Sequence, residues 1–187
     1  MKTTKKKESN HTLRIGMRIG KSLIAIVMGF LIWQGLRVFF PDLEIHPVFI
    51  YMYSFLEIRD TSEKTKVFGI QRIKSTLIAM AIGLPMLVLR VYVHTHLADT
   101  VLVTAIDLAM ILLGTLLTLW LGNKTGCGSM TGVAAAIFII LLIYHANEDR
   151  YIYSVLRASQ TIIGVAVAWL VNVVLFPYPG RKKESKE

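Results

Sequence analysis

Arg72-Ile-Lys-Ser-Thr76-Leu-Ile-Ala79-Met-Ala-Ile-Gly83 is the stretch on which the fold turns. An arginine opens an apolar run, and Thr76, Ala79 and Gly83 follow at spacings of three and four, which align on one face of a helix. The pattern occurs three times. Arg18-x-x-x-Ser22-Leu23-Ile24-Ala25 runs on to Gly29, and Arg157-x-x-x-Thr161-Ile162-Ile163-Gly164 runs on to Ala168. A further apolar run carries Gly128, Gly132 and Ala136 at the same spacing. One helix type, reused with a small and weakly polar face, builds a bundle. In lipid such faces let backbones approach and gain dispersion contacts. Either packing is their whole role, or some of them line a path.

The wider composition agrees. Of 187 residues, 54% are hydrophobic, and they fall in runs near the length of about 20 residues that spans a bilayer. The predicted fold class is all-α: a polytopic integral membrane helical bundle. Six spans are expected, at about 19–40, 45–58, 73–93, 100–121, 127–146 and 158–176, within a transmembrane domain covering 18–178. Residues 1–17 form a basic segment before it and 179–187 a basic tail after it. Residues 1–15 and 179–187 read as disordered. The second span, with Pro47 near its start, is short for a crossing and reads as a tilted or re-entrant helix. Pro85 predicts a kink in the third. The first run is too long for a signal peptide and lacks a clear cleavage site, so it reads as an uncleaved span. Cys127, the single cysteine, rules out an intrachain disulfide.

The net charge of +9 lies outside the apolar runs, which fits anionic lipid and not nucleic acid. With the N-terminus inside, the inner segments hold Lys2, Lys5, Lys6, Lys7, Arg14, Arg18, Lys21, Arg59, Lys64, Lys66, Arg72, Lys74, Lys124, Arg181, Lys182, Lys183 and Lys186. The outer ends hold only Arg37, Arg90, Arg150 and Arg157. Positive residues favour the cytoplasmic side, so both termini are expected in the cytoplasm of a multi-pass plasma-membrane protein. The short second span counts as a crossing in this scheme. The outer segments carry Asp42, Glu44, Asp99, Glu148 and Asp149, with His46, His94, His96 and His145. The histidines read as neighbours on an outer rim and not as a ligand set; no metal and no cofactor is expected.

Span four holds the main candidates. Thr104, Asp107, Ile111, Thr115 and Thr118 follow helical spacing along one side. Asp107 lies about two turns from the outer end, which places it near the middle of the bilayer. An ionisable residue there is costly and a functional candidate by default. The alternative is an aspartate paired structurally to an arginine or threonine of a neighbour. Arg37 and Arg90 sit near the outer ends of spans one and three, where they either snorkel to headgroups or meet an anionic solute. Gln34 and Asn172 read as hydrogen-bonding across helices. Glu57, Arg59 and Asp60 fall near the inner surface. Gly122-Asn-Lys-Thr-Gly126-Cys-Gly128 does not fit phosphate-loop spacing and reads as an inner turn. With no metalloprotease, Cys-x-x-Cys or nucleophile-elbow motif, the chain does not read as an enzyme.

Taken together, the residues resemble the fusaric acid resistance/aromatic acid exporter family over most of 14–178. The likeness rests on Arg72, Thr76 and Ala79, on Arg157, Thr161, Gly164, Ala168 and Asn172, and on Phe176-Pro177. The stretch Thr61-Ser62-Glu63 through Gly69 to Arg72 looks like the family's inner connection. The resemblance implies a membrane domain that exports small, often aromatic, carboxylates and works as an oligomer. Its partners would be membrane lipid, a small anionic aromatic substrate, and further copies or a partner membrane chain. Two departures stand out. Ala79 occupies a position where the family often shows glycine, and many relatives continue into a soluble domain or a second membrane half. The leading expectation is a proton-coupled exporter with Asp107 carrying the proton. The alternative is a non-transporting or accessory membrane subunit acting with a partner chain.

Overall fold

The computed structural model describes residues 2–40, 47–143 and 150–175, with side chains from residue 18 in the first stretch and from residue 152 in the last. His46, His145, Asp42, Glu44, Glu148, Asp149, Phe176-Pro177 and the basic tail lie outside the described residues, as do the side chains of Lys2, Lys5, Lys6, Lys7, Arg14 and Arg150. The elements are α1 (Lys2–Phe39), α2 (Val48–Leu56), α3 (Ser62–His96), α4 (Thr100–Lys124), a 3-10 turn (Gly128–Met130), α5 (Thr131–Ile143), and α6 (Arg150–Trp169) running into a π-helical stretch (Leu170–Leu175). Among the described residues there is no strand.

Four of these segments are long and apolar enough to cross a membrane: Arg18–Phe39, Ser62–His96, Thr100–Lys124 and Ile152–Leu175. The other two are shorter. The nine residues of α2 rise only about 14 Å, and the 3-10 turn with α5 makes one apolar segment, Gly128–Ile143.

Helix boundaries depart from the apolar runs where polar residues are good helix formers. Residues 2–15, expected to be disordered, continue α1; this stretch has no proline, and its lysines and glutamate carry little helix penalty. Residues 62–72, read as a connection, form the opening turns of α3. The helix then runs unbroken through Pro85 to His96. Asp99 caps α4, its carboxylate accepting from the amides of Val101 (2.9 Å) and Leu102 (3.3 Å). At the other end, Gly126 adopts φ +73°, the amide of Cys127 donates to Gly122 O and that of Gly126 to Asn123 O. That pairing is a Schellman stop, so the glycine-rich stretch is the turn its sequence predicts.

The chain forms two compact units, residues 1–69 with 163–187, and residues 70–162. In the first, one face of α2 is buried: Ile50, Tyr53 and Ser54 are fully buried. Gly29 of α1 meets Ser54 and Ile50, while Gly164 of α6 meets Tyr53 and the carbonyls of Ile50 and Phe49. Ala25, Ile58, Val167, Ala168 and Val171 form the core beside them. The two glycines permit the close approach of α1 and α6 to α2.

In the second unit, Ala79, Met110, Ile137, Phe138 and Leu142 form the core of α3, α4 and α5. The Phe138 ring occupies the space left by two missing side chains. A Cβ on Gly83 would stand 3.0 Å from Leu141 and 3.6 Å from Phe138; one on Gly114 would stand 2.7 Å from both Met86 Sδ and Phe138 Cε2. Gly114→Val is therefore expected to lower stability by about 1–3 kcal/mol through overpacking, read as an earlier unfolding transition of the purified chain in detergent. An unchanged transition would show that the ring can withdraw.

The small faces of α1, α3 and α6 thus pack inward, but that of α5 does not. Gly132 and Ala136 are exposed, and nothing lies within 4 Å of a Cβ built on Gly132. Here α5 turns its bulkier side inward, burying Ile137, Phe138, Leu141 and Leu142. In a helix apolar all round, spacing alone does not choose the buried face.

Candidate functional site

The second unit gathers charge at one end. Arg90, near the end of α3, donates from Nε to Asp107 Oδ1 (3.1 Å) and from Nη2 to Asp107 Oδ2 (3.0 Å). Its Nη1 donates to the carbonyl of Leu142 in α5. One guanidinium thereby ties α3, α4 and α5. A planar fork matched to a carboxylate is the strong form of such a pair. One turn further along α3, His94 Nε2 lies 3.1 and 3.0 Å from the same two carboxylate oxygens. The side chains of Arg90 and Asp107 remain 23% and 19% exposed, and that of His94 44%. The pair is sheltered without being sealed.

This geometry bears on three expectations. Arg90 is engaged within the protein, its three donor groups facing Asp107 and Leu142. Asp107 lies seven residues, about 10 Å, into a helix about 37 Å long, closer to its middle than to its end. The threonines of the stripe differ in their bonding. Thr104 donates to Thr100 O (2.8 Å) and the buried Thr118 to Gly114 O (2.7 Å), so both hydroxyls turn back onto their own helix. Thr115 differs, its buried hydroxyl having no hydrogen-bond partner among the described residues. Arg37 is exposed on α1. His96 turns away from His94, its Nδ1 meeting Tyr92 O and Thr95 while the ring stacks on Tyr92.

The repeated signature has a physical meaning in the same unit. Thr76 donates to Arg72 O (3.0 Å) and Thr161 to Arg157 O (2.9 Å), so the Arg-x-x-x-Thr spacing closes one helical turn. Both threonines line a small crevice with Ile73, Leu77, Ala158 and Ile162. Copies two and three of the signature therefore face each other. Arg72 and Arg157 are only 6% and 4% exposed, so neither is a surface charge as the orientation count assumed.

The first unit holds a polar knot that the sequence only half discloses. Asn172, fully buried in the π-helical stretch, donates to Arg59 O (3.0 Å) and to Thr65 Oγ1, and accepts from Lys21 Nζ (3.0 Å). Bonding across helices was legible for Asn172. Lys21, 3% exposed, stands in the sequence among the basic residues at the start of an apolar run, and nothing in the sequence singles out Thr65. Gln34, read the same way as Asn172, is exposed.

The family model for aromatic acid exporter family member 1 matches residues 13–175. This chain belongs to that family. The match takes in all three copies of the signature, the Arg90–Asp107 pair and the Asn172 knot. It makes the chain a member of a transporter family, and with four helices able to cross a bilayer it is a multi-pass membrane protein. No curated protein and no solved structure matches it. Within this aromatic acid exporter domain, Gly164 and Ala168 pack the first unit, Thr76 and Thr161 close the signature turns of the second, and Asn172 joins three segments of the first.

Proposed function

We propose that the chain exports small hydrophobic or aromatic carboxylic acids across the plasma membrane, with Asp107 carrying a coupling proton. The observation that carries the reading is the Asp107 carboxylate held by Arg90 and His94 at the joint of three helices. A proton arriving from the outer side cancels the carboxylate's charge and weakens its grip on Arg90. The tie between α3, α4 and α5 then loosens at that end, where the acid leaves. Loss of the proton restores the tie. Six crossings with both termini cytoplasmic put this cluster on the outer side, supported by the excess of lysine and arginine in the segments assigned to the inside. In that topology α2 is a short crossing sheltered by α1 and α6.

The test is flux of labelled benzoate from proteoliposomes containing only this chain, with and without an imposed pH gradient. Wild type is expected to show gradient-stimulated flux. Asp107→Asn keeps the side chain's shape and one acceptor for Arg90 but cannot exchange a proton, so it is expected to lose the stimulated part. A folded Asp107→Asn protein with unchanged pH dependence would sink this mechanism. Absence of flux from folded wild type across a panel of acids would favour the accessory-subunit alternative.

A further inference from the structure

Arg59 stands in the link between α2 and α3, and its backbone is fixed on both sides. Its amide donates to Thr65 Oγ1 (3.1 Å) and its carbonyl accepts from Asn172 Nδ2 (3.0 Å). The side chain is less engaged. Its guanidinium lies over the Phe68 ring, 4.4 Å from the centroid. Its Nη2 is 3.8 Å from Glu57 Oε2, inside ion-pair range but beyond a hydrogen bond. Its Nε is buried with no acceptor among the described residues. The other nearby carboxylate, Asp60, is 3.7 Å from Arg18. A held backbone, a stacked guanidinium and an unmet buried donor are unusual together, since buried N–H groups are nearly always paired.

We infer that Arg59 and Phe68 form a capture point for an aromatic carboxylate on the first unit, which rests on the exporter reading and adds to it a site for the substrate. The guanidinium fork supplies two parallel donors to a carboxylate, the geometry arginine serves best. Phe68 adds an apolar ring beside the charge, so the site selects a ring joined to an anion over either alone. The exposed Lys64 and Lys66 on the opening turns of α3 raise the local concentration of anions. Thr65 and Asn172 act as positioning residues, because they hold the Arg59 backbone and leave its side chain to the ligand. In the proposed topology this point faces the cytoplasm, the side from which an exporter loads.

The experiment is equilibrium binding of labelled benzoate to the purified full chain in lipid nanodiscs, with empty discs subtracted. Saturable binding to wild type is expected. Arg59→Gln should weaken it about tenfold, the loss expected for one charge-assisted pair, and Arg59→Lys should weaken it less by keeping the charge without the fork. Phe68→Leu should weaken benzoate while leaving competition by acetate unchanged. Thermal unfolding of each variant checks that it is folded, and Arg59→Lys carries the test if Arg59→Gln does not fold. Saturable binding that is equal in wild type and the folded arginine variants would overturn the inference, as would no saturable binding to wild type. The exporter reading is judged separately. Flux whose KM is unchanged in Arg59→Gln removes the capture point and leaves the exporter, whereas absence of flux from folded wild type removes the exporter.

Discussion

Gly164→Ala is expected to lower the unfolding temperature of this protein by about 5–10 °C, the shift that roughly 2–3 kcal/mol produces in a chain of this size, and Gly164→Val is expected to yield little folded protein. The reason is what the new Cβ meets. It would stand 2.8 Å from Tyr53 Cβ and 3.0 Å from the carbonyl oxygen of Ile50. Neither atom is the end of a flexible side chain, so relief requires moving the backbone of α2. The face of α2 that would have to move is fully buried at Ile50, Tyr53 and Ser54, and overpacking of this kind costs about 1–3 kcal/mol per added group. Gly29→Ala makes the informative comparison, because its Cβ would meet Ser54 Oγ at 3.1 Å and Ile50 Cγ2 at 3.2 Å, side-chain atoms that can give way. It should cost clearly less. Gly132→Ala meets nothing within 4 Å, and exchanging glycine for alanine inside a helix favours the fold by up to about 1 kcal/mol. Thermal unfolding of the three variants in one detergent should rank them Gly132, Gly29, Gly164 from least to most harmful. A Gly164→Ala protein that melts with wild type would mean that α2 is not clamped between α1 and α6.

That ranking separates what the sequence discloses from what it does not. Helices, and the inward faces of α1, α3 and α6, are legible because small residues at spacings of three and four alternate with larger ones. The six apolar runs each contain a helix. Their ends are misjudged where polar helix formers extend them, as in residues 2–15 and 62–72, because hydropathy reports burial in lipid and not backbone conformation. The outward face of Gly132 and Ala136 was not legible, since α5 is apolar on every side. Of the candidate site, Asp107 and Arg90 stand out as charges within apolar helices, and pairing to an arginine was one of the two readings open for Asp107. That the arginine is Arg90, and that His94 and Leu142 complete the cluster, depends on how α3, α4 and α5 are rotated about their axes. Lys21 was hidden for a different reason. A lysine at the start of an apolar run looks solvated, and only the fold reveals that Asn172 is opposite it.

Asn172→Leu is expected to be the most damaging polar-to-apolar change in the first unit, at about 3–5 kcal/mol, the size expected when several buried groups lose a partner together. The Asn172 amide uses both its donor and acceptor sides: it accepts from Lys21 Nζ and donates to Arg59 O and Thr65 Oγ1. Leucine has similar bulk and meets none of these needs, so three buried groups each lose a partner, and each such loss costs about 1–3 kcal/mol. Lys21→Met removes one of the three at its source. If the Lys21–Asn172 bond carries part of the cost, the double variant Lys21→Met/Asn172→Leu should be more stable than the sum of the single losses implies, by an interaction energy of about 1–3 kcal/mol. Asn172→Asp separates charge from donor capacity: it offers Lys21 a stronger acceptor but turns carboxylate oxygens toward Arg59 O and Thr65 Oγ1. It is expected to be destabilising, and to weaken benzoate binding beyond its effect on stability by releasing the Arg59 backbone. Chemical unfolding of the four proteins in the Lys21–Asn172 cycle decides the first point. Strict additivity would show that the lysine and asparagine contribute independently and that the knot is not one cooperative network.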